Sequence, residues 1–195
     1  MNKKIVILNG ENRTSKTPLT EFLLGLENSL NESGVGVRMF TLRDKNVKQC
    51  VGCFDCWVKT PGICRFNDDV EEILRVIIQS DLLLFASPLI MGMYSAVLKR
   101  FQDRMLPIIH PYLALVNNEC HHRKRYPKYP EIGFVFDEND ASPEEIENVH
   151  FIHQRIVLNI HSTLRLFESI QNKQAKELSH EMSLDFSQNE LHTVN

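Results

Sequence analysis

Residues 80–104 read SDLLLFASPLIMGMYSAVLKRFQDR. Leu82 to Ala86 form an unbroken apolar run, too short for a helix and without the polar alternation of a half-exposed strand. Such a run predicts a strand covered on both faces, as in a parallel sheet. Ser87-Pro88 ends it, and a helix is expected from Ser95 to about Leu106.

The same rhythm extends in both directions. KIVILN at 4–9 reads as a first buried strand opening into the loop GENRTSKT at 10–17. Thr17 is suited to cap a helix, and Pro18 to its first position, where the missing N–H costs least. Leu19, Phe22, Leu23, Leu26 and Leu30 then recur at helical spacing until Gly34. Val35, Val37 and Met39 alternate through about Thr41 as a second strand. Residues 44–67 form a loop. Asn67 and Asp68 open a helix with Val70, Ile73, Leu74, Ile77 and Ile78 on one face. Residues 107–130, with four prolines and a basic stretch, are expected to be an irregular insert. A fourth strand at 132–136, a helix from Ser142-Pro143, a fifth strand at 163–167 and a helix over 173–185 follow. The polar end, 186–195, is expected to be disordered.

Strands alternating with helices imply a parallel sheet with helices on both faces. Five such units in 195 residues fit one α/β domain, a three-layer sandwich with strand order 2-1-3-4-5. In that architecture a ligand sits beyond the carboxyl ends of the strands. A net charge of −3 predicts no nucleic-acid partner. No run is long enough to span a bilayer, and the short apolar part of the N-terminus is not that of a signal peptide. A cytoplasmic protein is expected.

The loop after the first strand carries Asn12, Arg13, Thr14, Ser15 and Thr17 ahead of a helix N-terminus. Backbone N–H groups, the helix dipole, hydroxyls and an arginine suit a phosphate. Gly10 stands alone, so this is neither a Walker loop nor a dinucleotide fingerprint. A solvated, helix-capping loop is the alternative. Cys50, Cys53, Cys56 and Cys64 form a second motif, three of them spaced by two residues. Compact runs of this kind suit a [4Fe–4S] cluster, because neighbouring thiolates reach different irons. Redox-active thiols, or cysteines with no metal, remain open readings. Cys120 is isolated. His121–Arg125, with Tyr126, Lys128 and Tyr129, reads as a solvated face or subunit contact rather than an anion site. His150 and His153 share a helix face without a partner to complete a metal site and are expected at the surface.

Three segments resemble the NAD(P)H-dependent FMN reductases of the flavodoxin-like group: ILNGENRTSKT at 7–17, CVGCFDCWVKTPGICRFNDD at 50–69, and residues 80–104. The resemblance implies non-covalent FMN, NAD(P)H as co-substrate, a small-molecule electron acceptor, and a homodimer or homotetramer. Carried over by position, it implies that Arg13, Ser15 and Thr17 hold the phosphate. Pro88, Leu89, Ile90, Met91 and Gly92 would then lie along the isoalloxazine. The cysteine spacing is also similar to that of iron–sulfur flavoproteins, which implies a cluster exchanging single electrons with FMN. Glu11, Pro18 and the acids at 137–140 depart from the family pattern. Three readings follow: a reductase of quinones, flavins or nitro compounds; an iron–sulfur flavoprotein electron carrier; and a scaffold that has lost its cofactor.

Overall fold

A computed structural model describes residues 3–116 and 118–191. In chain order it runs β1 (Lys4–Asn9), α1 (Pro18–Glu32), β2 (Gly36–Thr41), α2 (Asp55–Val58), α3 (Val70–Ile78), β3 (Leu82–Ile90) and β4 (Met93–Tyr94). It continues with α4 (Ala96–Gln102), β5 (Ile109–Val116), β6 (Glu119–Lys124), β7 (Glu131–Asp137), α5 (Pro143–Asn159), β8 (Leu164–Ser169) and α6 (Ala175–Leu191). The main sheet has the order β2-β1-β3-β7-β8, all parallel, with β4 antiparallel beside the end of β3. Counting only the parallel strands this is 2-1-3-4-5, the expected flavodoxin-like order.

The alternation within each strand decides which helix it meets. Ile5, Ile7, Leu82, Leu84 and Val135 face Leu19, Leu23, Leu26 and Leu30 of α1 and Leu178 and Met182 of α6. Val6, Leu8, Leu83, Phe85, Phe134 and Phe136 face the other way, onto α3, α4 and α5. Both faces of the central strands are therefore covered, which is why their sequences are apolar without interruption. Thr17 and Ser142 each start a helix with a capping box followed by proline, satisfying N–H groups that the first turn leaves orphaned.

Four expectations are corrected. First, the strand foreseen at 82–86 runs on to Ile90 and turns back into β4 through Met91 and Gly92, both at positive φ (51° and 71°). That pair is the conformation of a type I′ turn, whose twist matches a two-residue hairpin. Second, 107–130 is not irregular throughout, because β5 and β6 pair as an antiparallel hairpin. Cys120 is exposed on it, while His121 is buried against Asn159 and Glu119. Third, α6 continues to Leu191, through part of the segment expected to be disordered; residues 192–195 of that segment lie outside those described.

Fourth, His153 is not at the surface. It is fully buried in α5, stacked on Phe134 with ring centroids 4.0 Å apart, and its Nδ1 bonds the Val149 carbonyl at 2.9 Å. Burial pushes its pKa down to about 4, so it is neutral in the folded protein at neutral pH. The unfolded chain takes up this proton near the ordinary histidine value of about 6.5 and the folded chain does not. Stability attached to His153 is therefore complete above that value and is lost as pH falls toward 4. The difference is on the order of 3 kcal/mol across the window. Denaturant unfolding at pH 7 and pH 4.5 should show a large loss for the wild type and a smaller one for His153→Phe. Equal losses in both would refute this placement.

Candidate functional site

The carboxyl ends of β1, β3 and β7 lie together because the strands are neighbours in register, with Asn9 opposite Ala86 and Pro88 opposite Asp137. Short bonds fix the junction. The Gly10 N–H donates to the Ala86 carbonyl at 2.7 Å, and the Ser95 hydroxyl donates to the Gly10 carbonyl at 2.6 Å. The Ser95 N–H donates to Ser87 Oγ at 2.8 Å. A Cβ on Gly10 would stand 2.8 Å from Leu98 Cβ and 3.0 Å from the Ala86 carbonyl oxygen, so this approach needs a glycine. The loop after β1 and the β3–β4 hairpin thus leave the sheet from one pinned point.

The first loop is arranged around Glu11. Its side chain is 1% exposed and pairs with Arg13, whose Nε and Nη2 donate at 3.0 and 2.8 Å while the Arg13 backbone N–H donates at 2.9 Å. Burial works to raise the Glu11 pKa, but the bonds from Arg13 and Thr17 outweigh it and hold the carboxyl below its ordinary value. The Thr17 hydroxyl also receives the Thr20 N–H. Arg13 and Thr17, expected to hold a phosphate, are therefore largely engaged with a buried carboxylate, whose inward turn the residue pattern of the loop does not reveal. Asn12, Thr14 and Ser15 are exposed. Among the described residues, the backbone N–H groups of Asn12, Thr14, Ser15 and Lys16 have no internal hydrogen-bond partner.

Across the strand ends, a cleft of about 450 Å³ is lined by Leu89 to Gly92, Asn139 to Ala141 and Glu145. Ile90 is 50% and Met91 96% exposed, unusual for side chains of this kind at a hairpin tip. Met91 in the left-handed region is a strained choice for a residue with a Cβ. A Cβ on Gly92 would come within 2.7 Å of Glu145 Oε1. Asn139 Nδ2 donates to the Leu89 carbonyl at 2.7 Å, bracing the hairpin from the β7 side. Asp137 is buried and accepts from Gln171 Nε2 at 2.7 Å. Of the acids that depart from the family pattern, Glu11 and Asp137 are thus turned inward and bonded, and Asp140 lines the cleft. Pro88 lies buried in β3 and, with the residues of the first loop, outside this lining. Ser87, Ser95 and Asn139 escaped sequence reasoning, since nothing in the position of a hydroxyl or an amide names its distant partner.

These features fit a flavin mononucleotide. Unpaired N–H groups and hydroxyls beside the α1 N-terminus suit its phosphate, and an exposed apolar turn over a cleft suits its ring system.

The cysteine loop follows β2. Gly52 (φ 64°), Phe54 (φ 57°) and Gly62 (φ 89°) take left-handed conformations that wrap the chain, and Phe54 starts α2. Trp57 Nε1 donates to the Leu106 and Ile109 carbonyls, fastening α2 to the start of β5. Burial raises the Cys56 thiol pKa, and the nearby sulfurs of Cys64, Cys50 and Cys53 raise it further. Of the four expected ligands, Cys56 is buried and Cys50, Cys53 and Cys64 are half-buried along the same loop. Among the described residues no three His, Cys, Asp or Glu side chains are gathered to hold a single metal ion. A cube differs in requiring one thiolate at each of several irons.

Replacing Glu11 by Gln tests the loop's construction. A carboxyl with a depressed pKa contributes stability at neutral pH that disappears as pH falls through its folded value. The wild type should therefore lose more stability than Glu11→Gln between pH 6 and pH 3. Parallel denaturation profiles would contradict the buried pair.

The chain is similar to known proteins at three levels. The family of NADPH-dependent FMN reductases matches over residues 3–119. An iron–sulfur flavoprotein of Methanocaldococcus jannaschii is 37% identical over 81 residues, which are 42% of this chain and 41% of that protein. The chain thus matches about two fifths of the length of that relative. Among solved structures, the NAD(P)H:quinone oxidoreductase from Methanothermobacter marburgensis shares the fold with a TM-score of 0.62 at 15% identity, over 94% of this chain and 96% of that one. An FMN-dependent NADH-azoreductase from Bacillus anthracis, solved in complex with FMN, gives 0.60 at 12% identity over 95% and 99%. With more than half its length matched and the strand order in agreement, this chain belongs to the NADPH-dependent FMN reductase family.

Proposed function

We propose that this chain binds FMN at the carboxyl ends of β1, β3 and β7 and uses NAD(P)H to reduce a small acceptor of the quinone, flavin or nitro-compound class. The observation that carries this reading is the pinned junction of Gly10, Ala86 and Ser95, which presents a donor-rich loop and an apolar hairpin side by side. When bound, FMN supplies hydride and single-electron chemistry, and the protein supplies binding, orientation and electrostatics.

The N–H groups of Asn12, Thr14, Ser15 and Lys16, with the Asn12 amide and Ser15 hydroxyl, take the phosphate. Arg13 and Thr17 support them by neutralising and fixing Glu11, which would otherwise repel an anion. Backbone groups of Pro88 to Gly92 meet the polar edge of the ring, while Ile90 and Met91 cover its face and exclude water. No side-chain acid or base is assigned a proton-transfer role.

A second reading, an iron–sulfur flavoprotein electron carrier, is favoured by the close spacing of Cys50, Cys53, Cys56 and Cys64 on one loop and by the similarity to a protein of that name. In it the four thiolates hold a [4Fe–4S] cluster, which supplies one-electron transfer. Their unpaired state suits the reducing cytoplasm. We also propose self-association, as a homodimer or homotetramer. The exposed Val51, Phe54 and Val58 of the cysteine loop and Tyr112, Leu113 and Leu115 of the β5–β6 hairpin form apolar surface of the kind that associates.

Anaerobically purified protein should be yellow from FMN, and the colour should bleach on adding NADPH or NADH. Gly92→Ala, which drives a Cβ into Glu145, should weaken FMN binding about tenfold or more, roughly 1.4 kcal/mol. Failure of the wild type to bind FMN at micromolar concentration would leave only the scaffold reading. If the second reading holds, the protein should also carry iron and acid-labile sulfide, and Cys53→Ser should lose them. Iron-free protein after anaerobic purification and reconstitution would exclude the cluster.

A further inference from the structure

A second cleft, of about 370 Å³, lies between α4, α5 and the β5–β6 hairpin and shares no lining residue with the one under the β3–β4 hairpin. Its walls are mostly apolar, made by Met105, Leu106, Ile109, Ile152, Ile156 and Ile160. Lys99 and Asp103 also line it, and they form an ion pair with each other. Trp57 braces the back of the cleft. Its Nε1 donates to the Leu106 and Ile109 carbonyls, and its ring lies against His122 with centroids 5.0 Å apart.

Two residues of the lining carry polar atoms with nothing to bond. Gln102 Nε2 and Oε1 and His122 Nδ1 are buried and have no hydrogen-bond partner. Among the described residues six buried side-chain nitrogen and oxygen atoms are in this state, and three of them belong to this pair. An orphaned polar atom inside a fold is costly, and folds keep few of them. Their concentration at one cleft therefore points to an occupant that pairs with them.

The chemistry of that occupant follows from the lining. A glutamine amide sets a donor beside an acceptor. It is satisfied in full by a group that sets an acceptor beside a donor, which describes a carboxamide or a lactam. The terminal torsion of a glutamine is broad, so the amide turns this edge toward a ligand at little cost. The His122 nitrogen supplies one further bond. The isoleucine, leucine and methionine walls suit a ring system, and the volume lies at the small end of the range of roughly 300–1,000 Å³ for ligand pockets. With Lys99 and Asp103 paired, the lining holds no unopposed charge to draw an ion.

We infer that this cleft is a second small-molecule site, which takes a neutral aromatic compound whose carboxamide or lactam edge pairs with Gln102. The inference does not rest on the flavin reading.

The test is calorimetric titration of the full chain, with FMN and without it. The probe is 2-naphthamide, and the control is 2-naphthoate, which has the same rings and an anionic edge. One equivalent of 2-naphthamide should bind per chain, undisturbed by FMN, and 2-naphthoate should bind more weakly. Gln102→Leu is similar in size and removes the orphaned amide, so the fold is retained. It should weaken 2-naphthamide about tenfold or more, the loss expected for one or two hydrogen bonds. Ile156→Trp fills the cleft and should abolish binding. Circular dichroism checks that each variant is folded, and Gln102→Leu decides alone if Ile156→Trp is not. Competition between the probe and FMN, or equal affinity in the wild type and Gln102→Leu, overturns the inference. So does a wild type that binds no 2-naphthamide; if Ile156→Trp then alters the oligomeric state in sedimentation, the cleft is an interface between copies of the chain. A chain that takes the probe and not FMN keeps this site and loses the flavin reading.

Discussion

The bond between the Gly10 N–H and the Ala86 carbonyl, with the Ser95 hydroxyl closing on the Gly10 carbonyl, is the constraint on which the rest of the site depends. It extends the β1–β3 pairing by one rung and then ties the first loop to the start of α4. A hydroxyl in the N-cap position has one lone pair for the Leu98 N–H and one proton to give away. Ser95 uses both, so one side chain caps a helix and joins two loops. Only glycine permits the approach, because any Cβ at position 10 would meet Leu98 and the Ala86 carbonyl.

Electrostatic satisfaction is the second theme. Glu11, Asp137 and Asp68 are acids placed inside the protein, and each has charged or amide donors. Burying a carboxylate is costly unless such partners are supplied. With Glu11 paired to Arg13 and Asp137 turned inward, the loop after β1 presents N–H groups and hydroxyls outward, as a site for an anionic cofactor requires, while Asp140 and Glu145 line the neighbouring cleft. The same economy operates beside the cysteine loop, where the buried Arg104 and Asp68 answer each other.

Much of the fold was legible in sequence because burial on both faces writes itself as uninterrupted apolar runs. Leu82–Ala86 and Ile5–Leu8 could be read without knowing their neighbours, as could the caps at Thr17 and Ser142. Long-range pairing is harder to read. The β5–β6 hairpin was obscured by prolines and by basic residues that face solvent on one side, and the inward turn of Glu11 depends on an arginine two positions on. His153 looked polar, yet its ring stacks in the core where a neutral imidazole is tolerated. Arg104 ends a segment singled out for other reasons, and its partners lie 36 and 56 positions away in the chain.

The proposed flavin site requires that the loop after β1 and the β3–β4 hairpin grip the same nucleotide. Titrating FMN into isotopically labelled protein and following the backbone amide resonances tests it most directly. A shared site makes Thr14, Ser15 and Lys16 shift together with Ile90, Met91 and Gly92, along one binding curve. Shifts confined to one of these stretches, or centred elsewhere on the fold, would contradict it.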